Sequence, residues 1–141
     1  SPCKAVVFAA QFPPHYDARM RWVLHGTLSD AVAEPLRRHG DQAVQASQLE
    51  LAADANAWEF LKAAQSKQWD VITNDASLVN AIFDQKIWFN RVVVYLQLEG
   101  DVVEQDDAID RLYARYKRLS AGRLYTVTAS RVKVRQLPAR V

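Results

Sequence analysis

Apolar positions along this chain alternate between two periods. Trp22-Val23-Leu24, Val71-Ile72 and Val92-Val93-Val94-Tyr95-Leu96 are short unbroken apolar runs, the pattern of strands buried on both faces. Between them, apolar residues recur at helical spacing. Ala57, Phe60, Leu61 and Ala64 form one stripe, Leu78, Val79, Ile82 and Phe83 a second, and Ile109, Leu112, Tyr113, Tyr116 and Leu119 a third. The four glycines, Gly26, Gly40, Gly100 and Gly122, all fall between these segments as punctuation.

The pattern predicts a definite order of elements. A strand over 21–25 leads to a helix capped by Ser29 and running to about His39, with Gly40 just past its end. Pro35 inside that helix implies a kink or a late start. A weak strand follows over 42–46. A helix opened by Asp54 runs to about Lys67, then a strand over 69–73, a helix begun by Asp75 or Ser77, and a strand over 91–98. The helix over 105–120 has Asp106 and Asp107 in its first turn and Lys117 and Arg118 in its last, as the helix dipole favours. Strands over 124–128 and 131–137 form a closing hairpin around Ala129-Ser130. Alternating strands and helices imply an α/β fold, a three-layer sandwich with a mainly parallel sheet and an antiparallel C-terminal β-hairpin. Residues 21–141 read as one domain. Residues 1–20, with a strand candidate over 5–10 and a Pro13-Pro14 break, read as an N-terminal extension.

Composition is ordinary: 141 residues, 50% hydrophobic and 24% charged, enough for a core without metal or disulfide. The lone cysteine, Cys3, excludes a disulfide framework and any paired-cysteine zinc site. No apolar run is long enough for a membrane span, so a cytoplasmic protein without membrane contact is expected.

The net charge of +2 conceals a split. Residues 111–141 hold nine of the 18 Lys and Arg and no acid; residues 1–110 hold the other nine against all 16 Asp and Glu. An acidic body followed by a basic tail suggests a polyanion-binding edge beside an acidic pocket. Arg111, Arg115 and Arg118 recur on one helix face. Arg131, Lys133 and Arg135 alternate with Val132 and Val134, so the three cations project from one side of a strand. The same row also reads as an edge strand guarded against aggregation.

Ligands of open α/β sheets gather beyond the carboxyl ends of the strands. There the chain reads Thr73-Asn74-Asp75 and His25-Gly26-Thr27, with Asp54 on the same side. Converging carboxylates would hold Mg²⁺ or Mn²⁺, which activates a water against a phosphodiester. Asp75 and Asp54 read equally well as helix caps. Glu59 lies off the apolar stripe and reads as solvated. His15, His25 and His39 lack metal-ligand spacing, His39 reading as a helix C-terminal residue, and no HExxH, GxSxG, Walker loop or GxGxxG occurs. Trp22, Trp58, Trp69 and Trp88 read as core or interface, which leaves a small homodimer as a further option.

Three stretches resemble the small PIN-like nucleases, a branch whose members are often toxin components of bacterial toxin–antitoxin pairs. They are Trp22–Ser29 with Ala33–Gly40; the helix of Ala57–Ala64 leading to Val71-Ile72-Thr73-Asn74-Asp75, similar to the family's Thr-x-Asp strand end; and Arg91–Leu96, the amphipathic helix and Arg131–Pro138. The resemblance implies a metal-dependent endoribonuclease acting on RNA, with Asp75 as a metal-binding carboxylate, Thr73 as a supporting hydroxyl, Mg²⁺ or Mn²⁺ as cofactor and an antitoxin protein as partner. The family's helix acid falls on Ala57, and Asp54, three residues earlier, is the substitute; Asp30 and Asp84 have less support. Arg111, Arg115, Arg131, Lys133 and Arg135 would hold the RNA backbone. The family's first strand ends in Asp, whereas this chain has His25. That departure gives the alternative: a catalytically inactive PIN-like module that binds RNA or a protein partner.

Overall fold

A computed structural model describes residues 20–28, 30–52, 54–98 and 102–139. The expected strand over 5–10 and the Ser29 cap lie outside them. The elements are β1 (Arg21–His25), α1 (Asp30–Arg38), β2 (Gln42–Gln45), a 3₁₀ turn (Ala46–Leu49), α2 (Ala57–Ser66), β3 (Asp70–Thr73), α3 (Ala76–Asp84), β4 (Val93–Leu96), α4 (Val102–Arg115), β5 (Arg123–Val127) and β6 (Val132–Gln136). They build one six-stranded sheet in the order β2-β1-β3-β4-β5-β6. All pairs are parallel except β5–β6, the closing hairpin. The expected three-layer α/β sandwich is therefore present.

β1, β3, β4 and β5 contribute alternate residues to two cores. Trp22, Leu24, Ile72, Val94, Leu96, Tyr125 and Val127 pack with Val32, Leu36, Ile109 and Leu112 of α1 and α4. Val23, Val71, Val93 and Leu124 pack with Phe60, Leu61, Leu78, Val79 and Ile82 of α2 and α3. The short apolar runs of the sequence are strands covered on both faces, as their lack of alternation implies.

The helix pairing shows an uncommon turn of topology. β1–α1–β2 moves toward one edge of the sheet over one face. β2–α2–β3 and β3–α3–β4 move the other way over the opposite face, which gives these three crossovers the same hand. β4–α4–β5 continues in that second direction but crosses on the α1 face, so its hand is opposite. About 98% of such crossovers share one hand. Coverage explains the exception. α1 sits over the β1/β2 end of the sheet, and a helix about 10–12 Å across covers only about two strands, which leaves Val94, Leu96, Tyr125 and Val127 to another element. α4 covers them. Arg38 grips Asp106 with two hydrogen bonds, of 2.6 and 3.2 Å, and His39 Nε2 lies 2.9 Å from Asp110 Oδ1.

Two acids are drawn into the far end of the sheet, at the amino ends of the strands. Asp41 accepts from the Met20 N–H, the Trp22 indole N–H and the Tyr113 hydroxyl. Burial, reinforced by Asp41, pushes the Tyr113 hydroxyl far above its usual value. Asp70, 2% exposed, accepts from the Val92 N–H and from Arg91. Burial raises its carboxyl above the ordinary range despite those partners. Part of the acidic body thus serves the fold.

Candidate functional site

The chain leaves β1 toward one edge of the sheet and returns to β3 on the other side. The carboxyl ends of β1 and β3 therefore flank the topological switch point, where ligands of such sheets bind. Register places His25 beside Thr73, both on the α2/α3 face. Four side chains, His25, Thr27, Thr73 and Asn74, lock the two strand ends together. Thr73 Oγ1, fully buried, accepts from the Asp75 N–H at 2.9 Å and lies 2.9 Å from His25 Nδ1. Asn74 Oδ1 accepts from the Thr27 N–H at 3.0 Å, and Asn74 Nδ2 donates to Thr27 Oγ1 at 2.7 Å. Gly26, at φ +85°, permits this contact: a Cβ there would lie 2.3 Å from Asn74 Oδ1.

Above this lock is a cleft of about 390 Å³. His25, Phe60, Asp75, Ser77, Asn56 and Ser47 supply its aromatic and polar lining, and Ala46, Leu51, Ala52, Ala55, Ala57 and Leu78 the rest. The His25 and Phe60 rings meet at 4.6 Å and 51°. Burial lowers the His25 pKa below its usual value, opposed in part by Asp75, and so favours the neutral imidazole. Asp75 is the N-cap of α3: its Oδ1 accepts from both the backbone N–H and the hydroxyl of Ser77, at 2.9 and 2.7 Å. The Ser77 hydroxyl bond, then the backbone bond, and more weakly His25, hold its carboxyl below the ordinary range. Asp75 Oδ2 and His25 Nε2 have no hydrogen-bond partner among the described residues.

The residues singled out from sequence separate in space. Thr73 and Asp75 belong to the cleft, joined there by His25. Asp54 does not: it sits exposed in a turn and is absent from the cleft wall. Nor does it open α2. Asn56 caps that helix in a reciprocal capping box with Glu59, at 2.8 and 3.1 Å. Asn-x-x-Glu was the available signal. Ala57, where the family's helix acid would fall, does line the cleft. Asp84 ends α3, about 13 Å along the helix from Asp75.

A hard divalent cation takes several oxygen ligands. Among the described residues no three His, Cys, Asp or Glu side chains come together in a group able to hold one, and one oxygen of Asp75 is already doubly engaged by Ser77. The described donors therefore do not fit the Mg²⁺ or Mn²⁺ that the resemblance implies.

The basic residues also divide. β6 pairs antiparallel with β5, with Thr126 opposite Lys133 and Leu124 opposite Arg135. Residues directly opposite share a face, so Lys133 and Arg135 lie on the α2/α3 side, where the Arg135 guanidinium stacks 3.6 Å from the Phe83 ring centre. By the same alternation Arg131 belongs to that side. Arg111 and Arg115 belong to α4 across the sheet; Arg111 donates to the Thr128 carbonyl at 3.0 Å and Arg115 sits 4.8 Å from the Tyr116 ring centre. Arg118 lies beyond the end of α4.

The register reveals a connection that single-sequence reading missed. His25 pairs with Thr73, Thr73 with Tyr95, Tyr95 with Thr126, and Thr126 with Lys133. One cross-strand row on the α2/α3 face thus runs from the cleft to the basic edge, about 19 Å over four strand spacings. No helix among the described residues is long and apolar enough to cross a membrane. No family model, no curated protein and no solved structure matches this chain.

Proposed function

We propose that this chain is a PIN-like module that binds RNA without metal-dependent cleavage. The observation that carries the reading is the fate of its charges. The acids Asp41, Asp70, Asp106 and Asp110 are engaged by the fold, whereas Arg131, Lys133 and Arg135 remain exposed on one side of what is an edge strand among the described residues. Such a row of cations suits the phosphates of a nucleic acid. Binding rather than cutting follows from the donor set at the switch point, where Asp75 is the sole carboxylate of the cleft wall among the described residues and already caps a helix.

The test is fluorescence anisotropy with single-stranded RNA across a range of salt concentrations. Binding weakens steeply with salt, and the combined change of Arg131, Lys133 and Arg135 to Ala lowers the slope of log K against log salt by about 2, from roughly 0.7 per phosphate contact. Unchanged binding in that variant overturns the reading. RNA incubated with Mn²⁺ stays intact; cleavage that needs Mn²⁺ and disappears in Asp75→Ala establishes the metal-dependent ribonuclease instead.

A further inference from the structure

We propose that the switch-point cleft is a pocket for a nucleobase bearing an exocyclic amine, held with its phosphate outside the cleft. The proposal extends the RNA reading, but nucleosides alone test the cleft's part in it.

Size comes first. The cleft's 390 Å³ falls in the range of small-molecule sites, too small for a folded nucleic-acid element. Its surface suits a flat heterocycle: the paired rings of His25 and Phe60 and the aliphatic faces of Leu51, Leu78 and the alanines offer contact area to a π-face.

Charge narrows the class. Asp75 is the charged residue of the cleft wall, and neither Lys nor Arg lines it. A phosphate inside would meet a carboxylate with no cation to offset it. A neutral group that donates hydrogen bonds is favoured instead. Asp75 Oδ2 has no partner among the described residues, since the bonds from Ser77 fall on Oδ1. Asn56 also lines the cleft and has an amide nitrogen to donate, its Oδ1 being occupied by the Glu59 N–H. A carboxylate acceptor and an amide donor in one cleft wall are the chemistry that an amino-substituted ring complements: the exocyclic N–H₂ of adenine, cytosine or guanine donates and an adjacent ring nitrogen or carbonyl accepts. Uracil has no such amine.

The register relates the position of the cleft to that of the basic edge strand, although the row between them passes through the fully buried Thr73 and is not itself a path. The row His25–Thr73–Tyr95–Thr126–Lys133 leads from the cleft to the first exposed cation of the edge strand. A base in the cleft and a phosphate at Lys133 share one face of the sheet. The same pocket chemistry accepts a free nucleoside or an unpaired base of an RNA strand.

The experiment is calorimetric titration of the intact protein with adenosine, cytidine, guanosine and uridine, with the corresponding 5′-monophosphates, and with short single-stranded oligonucleotides of each base. At least one amino-bearing nucleoside binds at least tenfold more tightly than uridine and no more weakly than its own monophosphate. Asp75→Asn lowers that affinity at least tenfold while retaining the helix cap, because Asn caps as well as Asp. Ala52→Phe, a change at an exposed position of the cleft wall, blocks binding without removing a polar group. Thermal melting of both variants verifies the fold. A free-nucleoside source is indicated when the nucleoside binds as tightly as the oligonucleotide, and an RNA source when the oligonucleotide gains affinity that the Arg131, Lys133 and Arg135 to Ala change removes. Absence of binding by all three amino-bearing nucleosides, tighter binding of the monophosphates, or indifference to both cleft variants overturns the proposal. Loss of RNA binding in the edge variant with nucleoside binding intact separates the two readings.

Discussion

Gly26 is the residue on which the geometry of the strand ends depends most directly. Its φ of +85° is a region that L-residues rarely adopt, and a Cβ would collide with the Asn74 amide that ties Thr27 to β3. Gly122, at φ +80°, faces open space. Gly26→Ala therefore costs about 2–3 kcal/mol, backbone strain plus a broken polar lock, and Gly122→Ala about 1 kcal/mol. Urea unfolding of the two variants measures the difference. His25 makes a pH prediction. Its pKa is lowered by burial against the smaller opposing influence of Asp75, so the folded state binds this proton less readily than the unfolded chain. The stability linked to His25 is complete above its ordinary value of 6.5 and is lost as pH falls below it. Urea midpoints of the native protein and His25→Asn, compared between neutral and mildly acidic pH, diverge with the native protein losing more. Asp75 shows how one residue supports two sequence readings. Its capping role was legible from its place between strand and helix. Its place in the cleft wall depends on residues far away in sequence, His25, Ser47 and Phe60 among them.

At the scale of elements, most boundaries followed the apolar periodicity, and the two informative departures have physical causes. α2 begins at Ala57 rather than at Asp54, because Asn56 and Glu59 satisfy each other's backbone donors. Asn56→Ala costs about 1 kcal/mol in urea unfolding, whereas Asp54→Ala, at an exposed turn position, stays within about 0.5 kcal/mol. α4 ends at Arg115, although Tyr116 and Leu119 keep the helical period. Their apolar groups still pack on the sheet, but from an irregular segment. Tyr116 meets Tyr125 edge-on at 5.3 Å, and the Ser120 N–H donates to the Tyr125 hydroxyl. Periodicity records which residues are buried; it does not record whether a helix or a β5 contact buries them.

Across the whole molecule, the charge split acquires a geometry. The basic residues do not form one rail: α4 carries Arg111 and Arg115 on one side of the sheet, while Arg131, Lys133 and Arg135 face the side that holds the cleft. Removing the three edge cations lowers RNA affinity on the order of 100-fold at 0.1 M salt if each makes a phosphate contact. Arg111→Ala with Arg115→Ala has a smaller effect on binding; since Arg111 holds the Thr128 carbonyl of the hairpin, it also lowers thermal stability. Parallel anisotropy and melting measurements distinguish the two sets.

The linear chain by itself determined the α/β class, the two-sided burial of the central strands, the antiparallel hairpin and the concentration of positive charge near the C-terminus, because periodicity and charge are properties of neighbouring residues. Only the tertiary structure decided the sheet order, the opposite hand of the α4 crossover, the engagement of Asp41 and Asp70 by the fold, and the meeting of His25, Phe60 and Asp75 around one cleft. Each of these is set by which segments shield one another from water and satisfy one another's hydrogen bonds across long stretches of chain, and no local pattern carries that information.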